Sequence, residues 1–157
     1  MTTIESPAYQ FALSAAVDTA APAVAGGTID VEASREVVWD ALAHVENWPS
    51  IRADISDVVA SGPPTEGSTF TWSAGGAPVA SAFALAERPN RLTWATTAPG
   101  MSMVGVYEFD ELGPDRTRIR AQESMDAAAA GVNIDNQVLA ELIRTWLEGI
   151  KAFVEGR

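Results

Sequence analysis

Three side chains in this sequence could move a proton near neutral pH from a defined position: Glu123, Tyr107 and His44. Glu123 lies in "TRIRAQESM", where period-two alternation sets Thr117, Ile119, Ala121, Glu123 and Met125 against the arginines and Gln122. If the first set faces inward, Glu123 is a carboxylate in apolar surroundings. Ionised and unpaired it would be costly there, so it is either protonated with a raised pKa or paired. Such a group suits general acid–base chemistry. The alternative is that Glu123 turns out at an irregular strand end or pairs with an arginine. Tyr107 lies in "MSMVGVYEFDEL", where Met101, Met103, Gly105, Tyr107 and Phe109 compete with Val104, Val106 and Glu108 for the inner face. The first set holds the aromatics, and Glu108 prefers water. A phenol on that face can hydrogen-bond a carbonyl or give a proton to a developing enolate, or it is a core tyrosine with its hydroxyl satisfied by backbone. His44, the single histidine, closes an apolar helix in "VVWDALAHVENWPSI". It is either a helix cap, favoured by the partial negative charge of the helix end, or a proton shuttle.

Other chemistries drop out. The chain has no cysteine, so disulfides, thiolate catalysis and Cys-ligated metals are excluded. One histidine cannot build a His-rich metal site, and no clustered Asp loop of the EF-hand kind is present. There is no Gly-rich phosphate loop and no Gly-x-Ser-x-Gly elbow. We therefore expect no metal and no organic cofactor. Ten Lys and Arg stand against 21 Asp and Glu, a net charge of −11. Such a surface repels nucleic acid and anionic membranes. The densest basic run, "RTRIR", reads as one solvated strand face. No apolar run reaches the roughly 18 residues that cross a bilayer, and the N-terminus lacks a basic n-region. The default expectation is a cytoplasmic protein without membrane insertion; oligomeric state is not readable.

The elements that must position these groups follow from periodicity. The 157 residues suit one domain with a sizeable core. Residues 1–27 are Ala-rich and read as an extension, helical in part at Tyr9–Val17, with residues 1–25 dispensable for folding; the domain proper is 28–157. "TIDVEAS" alternates as a strand. Ser34 is an N-cap for a helix to His44, and Asn47 caps a second short helix with Pro49 in its first turn. Six strands then follow between Gly- and Pro-rich turns, as an antiparallel meander. From Asn133 the spacing of Leu139, Leu142, Ile143, Trp146, Ile150 and Phe153 predicts a long amphipathic helix. The class is α+β, a curved antiparallel sheet with its inner face buried by that helix.

"VVWDALAHVENWPSI", "GSTFTW", "RPNRLTW", "YEFDELGPDRTRIRAQESM" and "LIRTWLEGIKAFVE" in this order resemble the START-like (SRPBCC) superfamily, in particular its polyketide cyclase/dehydrase branch. The resemblance runs from about Thr28 to Glu155. It implies a helix-grip fold with a cavity between sheet and helix, holding a hydrophobic small molecule of polyketide or lipid type. It also implies either cofactor-independent cyclisation, dehydration or isomerisation, or a non-catalytic carrier of a hydrophobic metabolite. On that fold Trp39 and Trp48 read mainly as anchors of the helices.

Alternation then nominates the cavity walls. Phe70 and Trp72 share a face, as do Ser81, Phe83 and Leu85, and Leu92, Trp94 and Thr96. Phe70, Trp72, Phe83, Trp94, Met101, Met103 and Trp146 are the expected ligand-binding side chains, with Gly149 beside them. Gly149 costs about 1 kcal/mol in mid-helix relative to Ala, so it either opens space over the cavity or lets helix and sheet approach closely. Arg52 and Asp54 are expected near the mouth or as a solvated ion pair.

Overall fold

The computed structural model describes residues 2–156. In chain order it contains α1 (Pro7–Leu13), β1 (Ala23–Val31), α2 (Arg35–Ala43), a 3₁₀ turn (Val45–Asn47) and α3 (Trp48–Ile51). Then come β2 (Ile55–Ala60), β3 (Thr69–Ala74), β4 (Ala77–Glu87), β5 (Arg91–Ala98), β6 (Met101–Gly113), β7 (Arg116–Asp126) and α4 (Asn136–Val154). All seven strands form one antiparallel sheet in the order β1-β7-β6-β5-β4-β3-β2. The meander explains the run from β2 to β7; β1 returns to pair along β7, from Ala23 opposite Met125 to Val31 opposite Thr117. The curved sheet grips α4, giving the expected α+β helix-grip. No helix among the described residues is long and apolar enough to cross a membrane.

Helix ends follow their caps. Ser34 Oγ accepts from Val37 N at the start of α2, and Asp135 accepts from Val138 N at the start of α4. Asp135, not Asn133, therefore sets where α4 begins. Asn47 stands at the N-cap of α3 but its side chain makes no capping bond; its Nδ2 donates back to Ala41 O at 3.1 Å, and Trp48 Nε1 donates to Leu42 O at 2.8 Å. The Trp-Pro corner is thus pinned to the last turn of α2 by two side chains.

The concave face packs against α2, α3 and α4. Val38, Leu42, Trp48, Phe83, Leu92, Tyr107, Phe109, Ile119, Ile143 and Ile150 form its buried core. The convex face is covered by α1: Ala8, Tyr9 and Ala12 lie on Ala82, Ala84, Ala95, Val104 and Val106. Ser6 caps α1, Thr93 Oγ1 donates to Ala12 O at 2.9 Å, and Thr3 Oγ1 meets Thr97 Oγ1 at 2.7 Å. The segment expected to be a loose extension therefore has buried partners, and β1 begins at Ala23 rather than Thr28. On the solvated face of β7, Arg118 pairs with Asp30 directly opposite on β1 at 2.8 Å, and Arg120 with Asp110 diagonally across on β6 at 2.6 Å. These guanidiniums hold the Asp30 and Asp110 carboxyls below the usual carboxylate range.

Candidate functional site

A cavity of about 460 Å³ lies between the concave face and α4, a size suited to a small molecule. Strand alternation supplies Trp72, Ala74, Trp94, Thr96, Met103, Glu123 and Met125; α3 and the turn after it supply Trp48, Arg52, Asp54 and Ile55; α4 supplies Leu139, Leu142, Thr145 and Trp146. The mouth is where half-exposed Arg52, Asp54 and Leu142 stand.

The walls are held by ring contacts. Trp48 is the hub, with centroids 5.2 Å from Phe70, 5.6 Å from Trp72, 5.6 Å from Trp94 and 5.3 Å from Trp146. Trp94 stacks on Tyr107 at 4.7 Å. That stacking needs Gly105: a Cβ there would stand 3.0 Å from the Trp94 ring. Trp72 Nε1 donates to Ser81 Oγ at 3.0 Å, which in turn meets Thr96 Oγ1 at 2.7 Å. Rigid aromatic side chains locked in this way keep a void open that flexible chains would fill.

One acidic pair stands at the wall. Tyr107 Oη donates to Glu123 Oε2 at 2.5 Å, and both residues are buried. Burial pushes the Glu123 carboxyl up to about 7, against the opposing pull of the Tyr107 hydrogen bond and the Arg52 charge. Burial, then the neighbouring Glu123 charge and bond, raise the Tyr107 phenol well above its ordinary value. Tyr107 therefore remains the donor, and Glu123 is the group that titrates near neutrality. A carboxyl poised in this way can give or take a proton inside the cavity.

The fold is that of a known group. The sequence matches the family described as "Polyketide cyclase / dehydrase and lipid transport" over residues 23–155. The chain belongs to that family. Among solved structures, a hypothetical protein from Helicobacter pylori is similar at 16% identity, covering 87% of this chain and 90% of that one, with a TM-score of 0.70. Norcoclaurine synthase from Thalictrum flavum is similar at 12% identity, 85% and 87% coverage and a TM-score of 0.64. The di-domain ARO/CYC BexL is similar at 18% identity, covering 84% of this chain and 46% of that one, with a TM-score of 0.66. At these identities the likeness is one of fold. No curated protein matches the sequence.

Within this family member the geometry sorts the residues nominated from sequence. Glu123, Trp72, Trp94, Met103 and Trp146 line one cavity. Tyr107 is fully buried behind that wall and reaches it only through Glu123. Phe70 and Phe83 pack with tilted rings, centroids 4.9 Å apart, outside the cavity lining, with Phe70 edge-on to Trp48. Met101, at the strand end opposite Ala98, does not line it either. His44 is exposed at the C-cap of α2, and its Nδ1–H donates to Asp40 O at 2.8 Å. It borders a separate shallow depression with Pro63 and Pro64, so it has no access to the cavity. Gly149 does not open space: a Cβ there would collide with the Ile51 carbonyl, so the glycine lets α4 press against α3. Leu85 leaves the Phe83 face because a bulge at Ala84 pairs it with Thr93, whose hydroxyl faces α1.

Trp48, Met125, Leu139, Leu142 and Thr145 were not nominated. Met125 was on the inner face by alternation, and Leu139, Leu142 and Trp146 form one stripe of α4 by 3-and-4 spacing. Trp48 serves both as anchor and as wall, which its sequence context does not distinguish.

Proposed function

We propose that the cavity binds a flat, hydrophobic small molecule of polyketide type and that Glu123 catalyses its cyclisation, dehydration or isomerisation by proton transfer. The observation that carries this reading is Glu123, held from behind by Tyr107, in a cavity wall built largely of indole rings, thioethers and aliphatic side chains. In its ionised form Glu123 removes a proton from carbon beside a ligand carbonyl. The Tyr107 hydroxyl, already donating to Oε2, stabilises the carboxylate while it is charged. In a dehydration the protonated Glu123 then returns that proton to the departing hydroxyl, which leaves as water. Four indoles hold the chain of the substrate folded, and exclusion of water adds to the effect.

The test is Glu123→Gln, which keeps the shape and removes the titratable proton. Turnover is expected to fall by about 100-fold or more with affinity little changed. Unchanged turnover would remove Glu123 from the mechanism. Substrate candidates come from mass spectrometry of ligands that co-purify with the protein.

A second reading is a non-catalytic carrier of a hydrophobic metabolite. It draws support from the same pair: Tyr107 already satisfies Glu123, so the buried carboxyl needs no ligand to be stable. Tight binding without turnover by the unmodified protein favours it.

A further inference from the structure

The mouth of the cavity holds hydrogen-bond donors that nothing among the described residues uses. Arg52 leaves the end of α3 in extended conformation. Its guanidinium lies over two rings, 5.8 Å from the Trp72 centroid and 5.9 Å from the Trp146 centroid. Only its Nε edge is engaged, donating to Asp54 Oδ1 at 2.5 Å. Among the described residues the two terminal amino groups donate to no side chain and no carbonyl. Trp146, which lines the same cavity, has its Nε1–H buried without a partner. A buried donor left unpaired costs about 1–3 kcal/mol; the Arg52 amino groups, half exposed at the rim, are the donors an incoming acceptor reaches.

We propose that this mouth recognises a carboxylate carried by the flat aromatic ligand, taken by the free amino edge of Arg52 between the Trp72 and Trp146 rings. The proposal rests on the reading that the cavity binds a flat hydrophobic molecule. A guanidinium presents two parallel N–H groups at the spacing of carboxylate oxygens, and stacking on indoles fixes its plane. Body and head are then divided between two environments. Indole walls and Met103 hold the aromatic body, and the half-exposed rim holds the anion where it stays partly hydrated.

Two effects oppose this. Asp54 already balances one charge of the pair, and the protein carries a net −11. Asp54 is half exposed, so solvent screens its repulsion. The global charge acts over distances at which physiological salt screens it, beyond about 8 Å. The direct fork contact falls well inside that range.

The probes are a matched pair: 2-naphthoate and the neutral, near-isosteric 2-acetonaphthone. Binding is read by tryptophan fluorescence at about pH 6, where an aryl carboxylate is ionised. The unmodified protein should bind 2-naphthoate about tenfold more tightly, a difference of ~1.4 kcal/mol. Arg52→Gln should bring the two ligands to parity. Asp54→Asn frees the guanidinium and should increase the preference for the carboxylate. Equal binding of both probes by the unmodified protein, or a preference that survives Arg52→Gln, overturns the proposal and leaves the cavity reading standing. Failure of both probes to bind overturns the cavity reading and the proposal with it.

Discussion

The convex face of the sheet carries alanines and valines beneath α1, and the concave face carries tryptophans beneath α4. Both faces are closed by a helix, but the cavity under α4 is about 460 Å³ and the one beside α1 about 100 Å³. On the convex side, Ala82, Ala84 and Ala95 let a two-turn helix sit directly on the strands, with Ala12 fully buried. Small side chains on both partners leave only a small gap, about 100 Å³, at the edge of α1. On the concave side, rings propped edge to face against Trp48 hold the helix away from Met103 and Glu123. The lesson is that size alone does not fill space. Large rigid groups that brace one another create the void, and small groups eliminate it.

The largest expected effect comes from removing the brace. Trp48→Ala deletes four ring contacts and the bond to Leu42 O. It should cost about 3–5 kcal/mol in denaturant unfolding. If the brace keeps the cavity open, an apolar probe should bind worse than to the unmodified protein although a side chain has been removed. Improved binding would mean the rings merely occupy room.

Next in size is the charge inside the void. Glu123 is raised from 4.5 in the unfolded chain to about 7 in the fold. The folded state therefore keeps a proton that the unfolded chain releases above pH ~4.5. Its favourable contribution is complete below that pH, declines as pH rises, and is gone above about 7. The loss approaches about 3 kcal/mol. Glu123→Gln should flatten the fall in stability between pH 5 and 8, read by urea midpoints across that range. A slope identical to that of the unmodified protein would mean that Glu123 does not carry a raised pKa.

The smallest effect belongs to the solid face. Deleting residues 2–22 uncovers the alanine–valine patch and removes the buried Tyr9 and Ala12. The loss should be about 2 kcal/mol, with unfolding still cooperative. An unchanged Tm would make α1 a passenger on the sheet.

Sequence periodicity carried most of this architecture. Alternation in β6 and β7 put Tyr107 and Glu123 on one face, and the register confirms it by pairing Gly105 with Glu123 and Tyr107 with Ala121. It failed at Leu85, because one bulge residue shifts every later side chain to the other face and leaves no mark in composition. Gly149 was assigned to the buried side of α4 by its spacing, but spacing does not say which element lies opposite. His44 has suitable chemistry in the wrong place, since a helix end says nothing of distance to a cavity. The Ala-rich start resembled a linker because its burial depends on a sheet face assembled far along the chain. The unused donors of Arg52 and Trp146 were illegible, since only coordinates show what a side chain lacks.

Burial inside the cavity raises the Glu123 carboxyl to about 7. The direct measurement is the pH dependence of the Glu123 side-chain carboxyl carbon, by NMR on protein labelled at glutamate and assigned with Glu123→Gln. A midpoint of about 7 is predicted. A midpoint near 4.5, the value of an ordinary solvated glutamate, would contradict the account.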